Sequence, residues 1–231
     1  MLIIPPPQNA VSQVIFSRKE TEMNFSKLDF YIITVNLFAF ILFIFITRLK
    51  PHPKSGHMDF VLQIVSLLGG AAGIFIAMLL FGFSSKYKSR FNKEDKKENM
   101  MIKVFVSCFL VIQIIAYLIQ KGFLKDDFTF SFWNFFQQSK IFSFYLLTIN
   151  LITFTVFGID KRNAVLNRPR IRITTLLGLS FFGGAAGGLI AMYIFRHKTK
   201  KNYFAVGLPL MIVMQTVVVF FLMNVKYPFT E

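Results

Sequence analysis

The sequence is poor in the residues from which most catalytic and metal sites are built. Its 231 residues include one cysteine, Cys108, three histidines and only 11 acidic residues. A single cysteine excludes an intramolecular disulfide framework and a cysteine-rich metal site. No histidine pair stands at metal-ligand spacing, and no phosphate-loop, dinucleotide-binding or serine-hydrolase motif is present. We therefore expect no enzymatic activity, no cofactor and no metal.

Charge is missing from long stretches of the chain. Hydrophobic residues make up 55% of the sequence, and they gather in runs of about 18–25 residues, the length of a membrane-spanning helix. The predicted spans are 29–47, 59–83, 101–119, 142–159, 173–195 and 204–223. The sequence therefore predicts an all-α integral membrane protein with about six transmembrane helices.

Basic residues outnumber acidic ones and give the chain a net charge of +15. They lie in the connections between the apolar runs, where positive residues face anionic headgroups and set membrane topology. No basic helix with interleaved aromatic residues occurs outside the spans, so we expect no nucleic-acid binding. In a layout of six straight spans, 16 of the 26 lysines and arginines share the side of the N-terminus. That bias predicts that both termini are cytoplasmic.

The chain repeats itself at an offset of 114 residues. Residues 29–86 and 143–200 align without a gap and share 20 identities in 58 pairs, five of them consecutive at Gly-Gly-Ala-Ala-Gly. We predict a first copy over 29–119 (diverged), an interfacial linker over 120–141, a second copy over 142–225, and a disordered or interfacial tail over 1–28. Three spans in each copy predict an inverted repeat, as in many transporters. A re-entrant hairpin at the Gly-Gly run of each copy would instead make the repeats parallel.

Two repeated features lie inside the apolar runs. The glycines of the Gly-Gly steps are Gly69, Gly70 and Gly73 in the first copy and Gly183, Gly184 and Gly187 in the second. They either let helices approach closely, or they break each helix so that freed carbonyls coordinate an ion or small solute. Asn36 and Asn150 occupy equivalent positions. These amides either bond a partner helix or line a pathway.

A basic loop follows the second Gly-Gly run, and its Arg196, His197 and Lys198 are replaced by Gly82, Phe83 and Ser84 in the first copy. The loop begins with Arg196, His197, Lys198 and Thr199. It either anchors the span by snorkelling to the headgroups or forms a site for a phospholipid headgroup or anionic solute. In the second interpretation, Arg196 and Lys198 supply charge. Thr199 then supplies a hydroxyl and His197 a hydrogen-bond donor.

A polar group marks the end of the fourth span and the connection that follows it, at Asp160, Lys161 and Arg170. Asp160 either forms a local salt bridge at the interface or pairs with Arg196 or Lys198. In a simple six-span layout those ends lie on opposite faces of the membrane. The second pairing therefore requires the chain to fold back.

Several motifs of the second copy resemble a known family. They are GIDKRNA (158–164), RPRI (168–171), GGAAG (183–187) and FRHKTKKNYF (195–204). Together they are similar to domain of unknown function 1294, a bacterial inner-membrane family whose members typically carry one copy of this length. The resemblance covers residues 142–223, and a glutamate that the family carries shortly after the Arg-Ile pair is absent here. It implies a bacterial inner-membrane location and a fold unit, and no activity.

Two functions fit these observations. A small transporter or channel for an ion or small solute would place the paired Gly-Gly steps at its centre. The alternative is a non-transporting membrane protein that binds anionic lipid or a protein partner through the basic loop.

Overall fold

The computed structural model describes residues 26–49, 56–81, 95–125 and 127–225. The predicted tail over 1–28 lies almost entirely outside these ranges. The chain divides after Thr34 into a short N-terminal unit and a large unit that begins at Val35. The large unit contains every contact described below.

Regular structure within the described ranges is helical. The helices are α1 (Lys27–Leu49), α2 (Gly56–Val65), α3 (Ala71–Phe81), α4 (Asp95–Gln120), α5 (Phe132–Gln138), α6 (Lys140–Val165), α7 (Ile173–Leu179), α8 (Ala185–Ile194), α9 (Asn202–Ala205) and α10 (Gly207–Asn224). Two π-helical turns, Ser66–Gly70 and Ser180–Gly184, join α2 to α3 and α7 to α8.

Six helical segments are long and apolar enough to cross a membrane, which confirms the predicted class. They are Lys27–Thr47, Phe60–Phe81, Met100–Gln120, Lys140–Val165, Ile173–Ile194 and Asn202–Asn224. The fourth extends beyond its predicted end because the polar residues after Ile159 continue the helix. Along α6, Phe144, Leu147 and Leu151 are exposed. Their spacing places them on one helix face, as expected for a face that contacts lipid.

Each π-helical turn contains a glycine that interrupts the helix. Gly69 has φ 104° and Gly183 has φ 123°. Glycine reaches this region freely, whereas a side chain with a Cβ atom would be strained there. The two breaks are 114 residues apart, which is the offset of the predicted repeat.

The break at Gly183 reverses the direction of the chain along α6. Just before α7, the N–H of Ile171 donates to Asp160 near the end of α6, at 2.9 Å. At the turn, a Cβ on Gly183 would lie 3.2 Å from the side chain of Leu146, in the first half of α6. Just after α8, Lys198 returns to Asp160 at 2.6 Å. The helix α7 therefore runs antiparallel to α6 and α8 runs parallel to it, so the fifth apolar segment is a helical hairpin.

The first copy shows the corresponding contacts. The rings of Phe40 in α1 and Phe81 at the end of α3 lie 6.0 Å apart, and the equivalent rings of Phe154 and Phe195 lie 5.2 Å apart. Leu62 of α2 packs in one apolar cluster with residues of α1, α3 and α4. The aligned Leu176 of α7 occupies the matching place in the second cluster. These contacts support the predicted repeat in three dimensions.

The last long helices of the two copies, α4 and α10, pack against each other. In the first half of each helix, a Cβ on Gly207 would lie 3.2 Å from Val104. Beyond their ends, Leu124 and Val225 form an isolated β-bridge. The two helices therefore run in the same direction. A hairpin in each copy and parallel end helices favour the parallel relation between the copies over the inverted one.

Candidate functional site

Two equivalent asparagines hold the glycine turns against the first helix of each copy. The Oδ1 atom of Asn150 accepts a hydrogen bond from the N–H of Gly187 at 2.7 Å, and its Nδ2 donates to the carbonyl of Gly183 at 2.9 Å. In the first copy, Asn36 Oδ1 accepts from the N–H of Gly73 at 2.8 Å. The helix break leaves backbone groups without helical partners, and the asparagines satisfy them.

Gly73 and Gly187 allow backbone to approach backbone. A Cβ at Gly187 would collide with the backbone carbonyl of Asn150, and a Cβ at Gly73 would collide with that of Asn36. In each case the added Cβ would lie closer to a neighbouring atom than Cβ atoms do in real proteins, and that atom belongs to the backbone. These contacts favour the close-approach interpretation of both glycines.

The second glycine of each step also faces the first helix. A Cβ at Gly184 would collide with the hydroxyl of Thr153, and a Cβ at Gly70 would lie 2.6 Å from the Cβ of Ala39. Thr153 and Ala39 are aligned in the repeat. The Gly-Gly-Ala-Ala-Gly element is therefore a packing surface in both copies.

Side-chain donors reach four successive carbonyls of the second turn, those of residues 180–183. Gln215 Nε2 of α10 donates to the first two at 2.6 and 3.2 Å. The hydroxyl of Tyr145 donates to the third at 2.5 Å, and Asn150 donates to the fourth at 2.9 Å. Backbone groups in hydrocarbon must be satisfied within the protein, and this turn meets that requirement. Because these four carbonyls already accept hydrogen bonds from side chains, the geometry does not favour them as ligands for an ion.

Sequence reasoning missed the glutamines that reach both turns. In the first copy, Gln113 of α4 accepts a hydrogen bond from the N–H of Ala72 at 3.3 Å. In the second copy, Gln215 of α10 donates to two carbonyls of the turn. Each is the single amide side chain inside the last predicted apolar run of its copy. Its presence there is a signal of a hydrogen-bonding partner, because a polar amide in hydrocarbon requires one.

A buried carboxylate lies at the opposite end of the second hairpin. Asp160 is 0% exposed. Its Oδ2 atom contacts His197 Nε2 at 2.9 Å and Lys198 Nζ at 2.6 Å, and its Oδ1 accepts from the N–H of Ile171 at 2.9 Å. An ionised carboxylate only accepts hydrogen bonds, so Nε2 of His197 carries the hydrogen. Asp160 thus links the loop before the hairpin to the loop after it.

The end of α8 directs these two side chains toward Asp160. The N–H of His197 donates to the carbonyl of Met192 at 3.1 Å, and that of Arg196 donates to Tyr193 at 3.2 Å. This pair of bonds is a Schellman motif, in which the residue after the helix adopts a left-handed conformation. Arg196 has φ 45°, although glycine usually stands at such a position. The turn sends the next two side chains back toward α6.

The predicted site residues are divided by this geometry. Asp160 contacts Lys198, one of the two predicted partners, and His197, which was predicted as a donor to an anion. Arg196 is exposed, and Thr199 is partly buried. Of the polar group predicted with Asp160, Lys161 is partly buried and Arg170 is exposed. The ion pairs of Asp160 within the described ranges are made with the loop after the hairpin.

The two loops linked by Asp160 carry a cluster of exposed positive charges, which we call the cationic face. Its members are Arg162, Arg168, Arg170, Arg172, Arg196, Lys200 and Lys201, all exposed. Asp160 is the sole acidic residue between positions 128 and 230 of the sequence, and it is buried. The cationic face therefore has no acidic neighbour of its own along the chain.

The carboxylate and its two partners are present together in the second copy and absent together from the first. The residues aligned with Asp160, His197 and Lys198 are Ile46, Phe83 and Ser84. The glycine turn belongs to both copies, whereas the Asp160 contacts belong to one. The first copy therefore forms its glycine turn without the contacts that Asp160 makes in the second.

Comparison with known proteins places this site within a described sequence family. The model of a family described as protein of unknown function (DUF1294) matches residues 150–204, which contain Asn150, the second hairpin, Asp160 and both loops. The uncharacterized protein YsdA of Bacillus subtilis (strain 168) is 40% identical over 79 residues, which are 34% of this chain and 89% of the relative. No solved structure matches the chain.

Proposed function

Since this chain belongs to the DUF1294 family, for which no activity is described, we propose a function from the geometry of the family-matched unit. The chain is a multi-pass membrane protein, and in this proposal it binds anionic phospholipid headgroups through the cationic face. The second hairpin is the membrane-embedded scaffold that holds the face in place.

The contact of one buried carboxylate with both basic loops carries this proposal. Asp160 engages His197 and Lys198 and leaves the seven charges of the cationic face exposed. Arginine presents a planar fork that binds phosphate oxygens in pairs, and five of the seven residues are arginines. Each basic residue near an anionic bilayer surface contributes about 1 kcal/mol of attraction. A fixed cluster of seven is a stronger site than scattered basic residues.

The proposal revises the role of the predicted anion loop. Arg196 keeps its predicted contact with the headgroup, because its side chain is exposed. His197 and Lys198 instead hold the two loops together through Asp160. The arginines of the first loop, at 168, 170 and 172, take the place of these two residues in the site.

The headgroup proposal predicts a lipid-specific stabilisation. In detergent, added phosphatidylglycerol should raise the melting temperature of the wild-type protein more than added phosphatidylcholine, because a ligand of the folded state stabilises it. A triple variant, Arg168→Gln, Arg170→Gln and Arg172→Gln, should lose most of that difference. Thermal denaturation followed by circular dichroism measures both shifts.

A matched control removes the same charge from the other end of the helices. It is the triple variant Lys121→Gln, Lys125→Gln and Lys140→Gln, whose three lysines are exposed. It should retain the phosphatidylglycerol effect. Equal loss in both variants would show a general charge effect without a site, and an unresponsive wild type would reject headgroup binding.

A transporter or channel is the second candidate, and the equivalent glycine breaks in the two copies favour it. Two hairpins inserted at matching positions are a feature of some pathways through membranes. The function predicts flux of an ion such as K⁺, Na⁺, H⁺ or Cl⁻ from proteoliposomes. Gly183→Leu, at the turn, should abolish that flux, while Lys125→Ala, at an exposed position outside the turn, should preserve it. Absence of flux for all four ions from wild-type protein would leave the headgroup proposal alone.

A further inference from the structure

We propose that the second and fifth apolar segments are re-entrant hairpins that enter and leave the membrane on one side, so that only α1, α4, α6 and α10 cross it. The side from which both hairpins enter is the cytoplasmic side, and it carries the cationic face. The two termini then lie on the opposite side. This inference concerns membrane topology and does not rest on headgroup binding.

The contacts of Asp160 exclude a straight fifth span. A continuous helix over the 22 residues from Ile173 to Ile194 would be about 33 Å long at 1.5 Å per residue. Yet the same carboxylate touches Ile171 before that segment and Lys198 after it, at 2.9 and 2.6 Å. A lysine side chain is much too short to bridge the distance between the two ends of such a helix. Both ends of the segment therefore lie at one level, beside the end of α6.

The hairpin reaches deep into the apolar layer without crossing it. Its turn, at Gly183, lies beside Leu146, which stands 14 positions before Asp160 in α6. Fourteen residues of α-helix correspond to about 21 Å, roughly two thirds of the ~30 Å hydrocarbon core. Non-helical backbone at this depth requires internal hydrogen-bond partners. The donors to the carbonyls of residues 180–183 are such partners.

Parallel repeats follow when each copy contains one hairpin and two crossings. Each copy then begins and ends on the same side, and the end helices α4 and α10 must run in one direction. The contacts of Val104 with Gly207 and of Leu124 with Val225 give them that direction. An inverted repeat would make the same pair antiparallel. The hairpin in each copy and the common direction of α4 and α10 thus both indicate parallel repeats.

The distribution of positive charge assigns the sides. In this topology, the side from which the hairpins enter carries the lysines and arginines from Arg48 to Lys103 and from Lys161 to Lys201, 19 of the 26 in the chain. A layout of six straight spans divides the same 26 residues more evenly, 16 against 10, and so gives a weaker charge bias. Connections rich in lysine and arginine remain cytoplasmic. The termini, expected inside from six straight spans, are therefore outside in this proposal.

The topology is tested by accessibility of single cysteines in the full-length chain. The background is Cys108→Ala, which removes the native cysteine. Asn167→Cys and Lys200→Cys flank the second hairpin, and both positions are exposed. In cells whose outer membrane or cell wall has been made permeable, a membrane-impermeant maleimide should label neither of these two cysteines. In inverted membrane vesicles it should label both.

Lys125→Cys, exposed after α4, is the matched control for the opposite side. It should be labelled in cells and protected in inverted vesicles. Leu49→Cys and Lys96→Cys test the first hairpin and should behave like Asn167→Cys. Opposite labelling of the two positions that flank a hairpin would overturn that hairpin. Labelling of all four flanking positions from outside would overturn the cytoplasmic assignment.

The outcomes of this experiment are separate from those of the lipid experiment. A protein with the proposed topology and no phosphatidylglycerol effect would reject headgroup binding alone. A protein stabilised by phosphatidylglycerol whose flanking cysteines lie on opposite sides would reject the hairpins alone.

Discussion

Replacement of Gly187 by alanine is expected to lower the free energy of unfolding by about 2–4 kcal/mol, whereas Gly178→Ala should preserve or raise it. A Cβ at Gly187 would collide with the backbone carbonyl of Asn150. Asn150 cannot easily retreat, because its side chain also accepts a hydrogen bond from the N–H of Gly187 at 2.7 Å. One methyl group therefore strains both the helix contact and the bond that holds the turn.

Gly178 is the matched control, since it lies in the adjoining helix α7. A Cβ at this position meets nothing within 4 Å. Alanine is favoured over glycine in a helix interior by about 1 kcal/mol, so the control has the opposite expected sign. Thermal denaturation of both variants in detergent, followed by circular dichroism, measures the difference. Equal melting temperatures for the two variants would contradict the close-contact role of Gly187.

The same experiment in the first copy tests the equivalence of the two hairpins. Gly73 faces the carbonyl of Asn36 as Gly187 faces that of Asn150. Gly73→Ala should therefore destabilise the protein to a similar degree. If Gly73→Ala is tolerated while Gly187→Ala destabilises the protein, the two hairpins are not packed equivalently.

The class of the fold could be predicted from the sequence because it depends on length and hydropathy. Apolar runs of membrane-spanning length predict helices, and all six appear within two residues of their expected starts and, except for the fourth, within two residues of their expected ends. The reversal at Gly183 could not be predicted in this way. A straight span and a helical hairpin of 22 residues have the same composition, and glycine pairs occur in both. The distinction depends on contacts between residues far apart in the chain.

The residues of the site were mostly visible in the sequence, and their partners were not. Asn150 and the glycines were identified by repetition, but repetition does not show that an asparagine bonds a glycine turn. Pairing of Asp160 with Lys198 was one of two alternatives, and it conflicted with a layout of straight spans. The assumption of straight spans caused the conflict, because the hairpin brings Asp160 and Lys198 to the same end of α6, where they are in contact. A charge pair whose members a layout of straight spans places on opposite faces is thus a signal of re-entrant structure.

Loss of the Asp160 carboxylate is expected to destabilise the second copy by about 3–5 kcal/mol, because removal of one member of a buried ion pair leaves the other without compensation. The change is Asp160→Ile, which installs the residue aligned with Asp160 in the first copy. Lys198 and His197 would lose their contacts at 2.6 and 2.9 Å. The N–H of Ile171 would lose its acceptor as well. A fall in melting temperature should show this loss.

The first copy also provides the rescue. The triple variant Asp160→Ile, His197→Phe and Lys198→Ser carries all three aligned residues of the first copy. Removal of all members of a buried ion pair avoids leaving one charge buried without its partner, so the triple variant should recover part of the stability that Asp160→Ile loses. Asp127→Asn, at an exposed acid, is the control and should change stability little. If the losses of the single variants simply add in the triple variant, the three residues do not act as a unit. Recovery would show that Asp160 is required because of the two partners that the second copy places beside it.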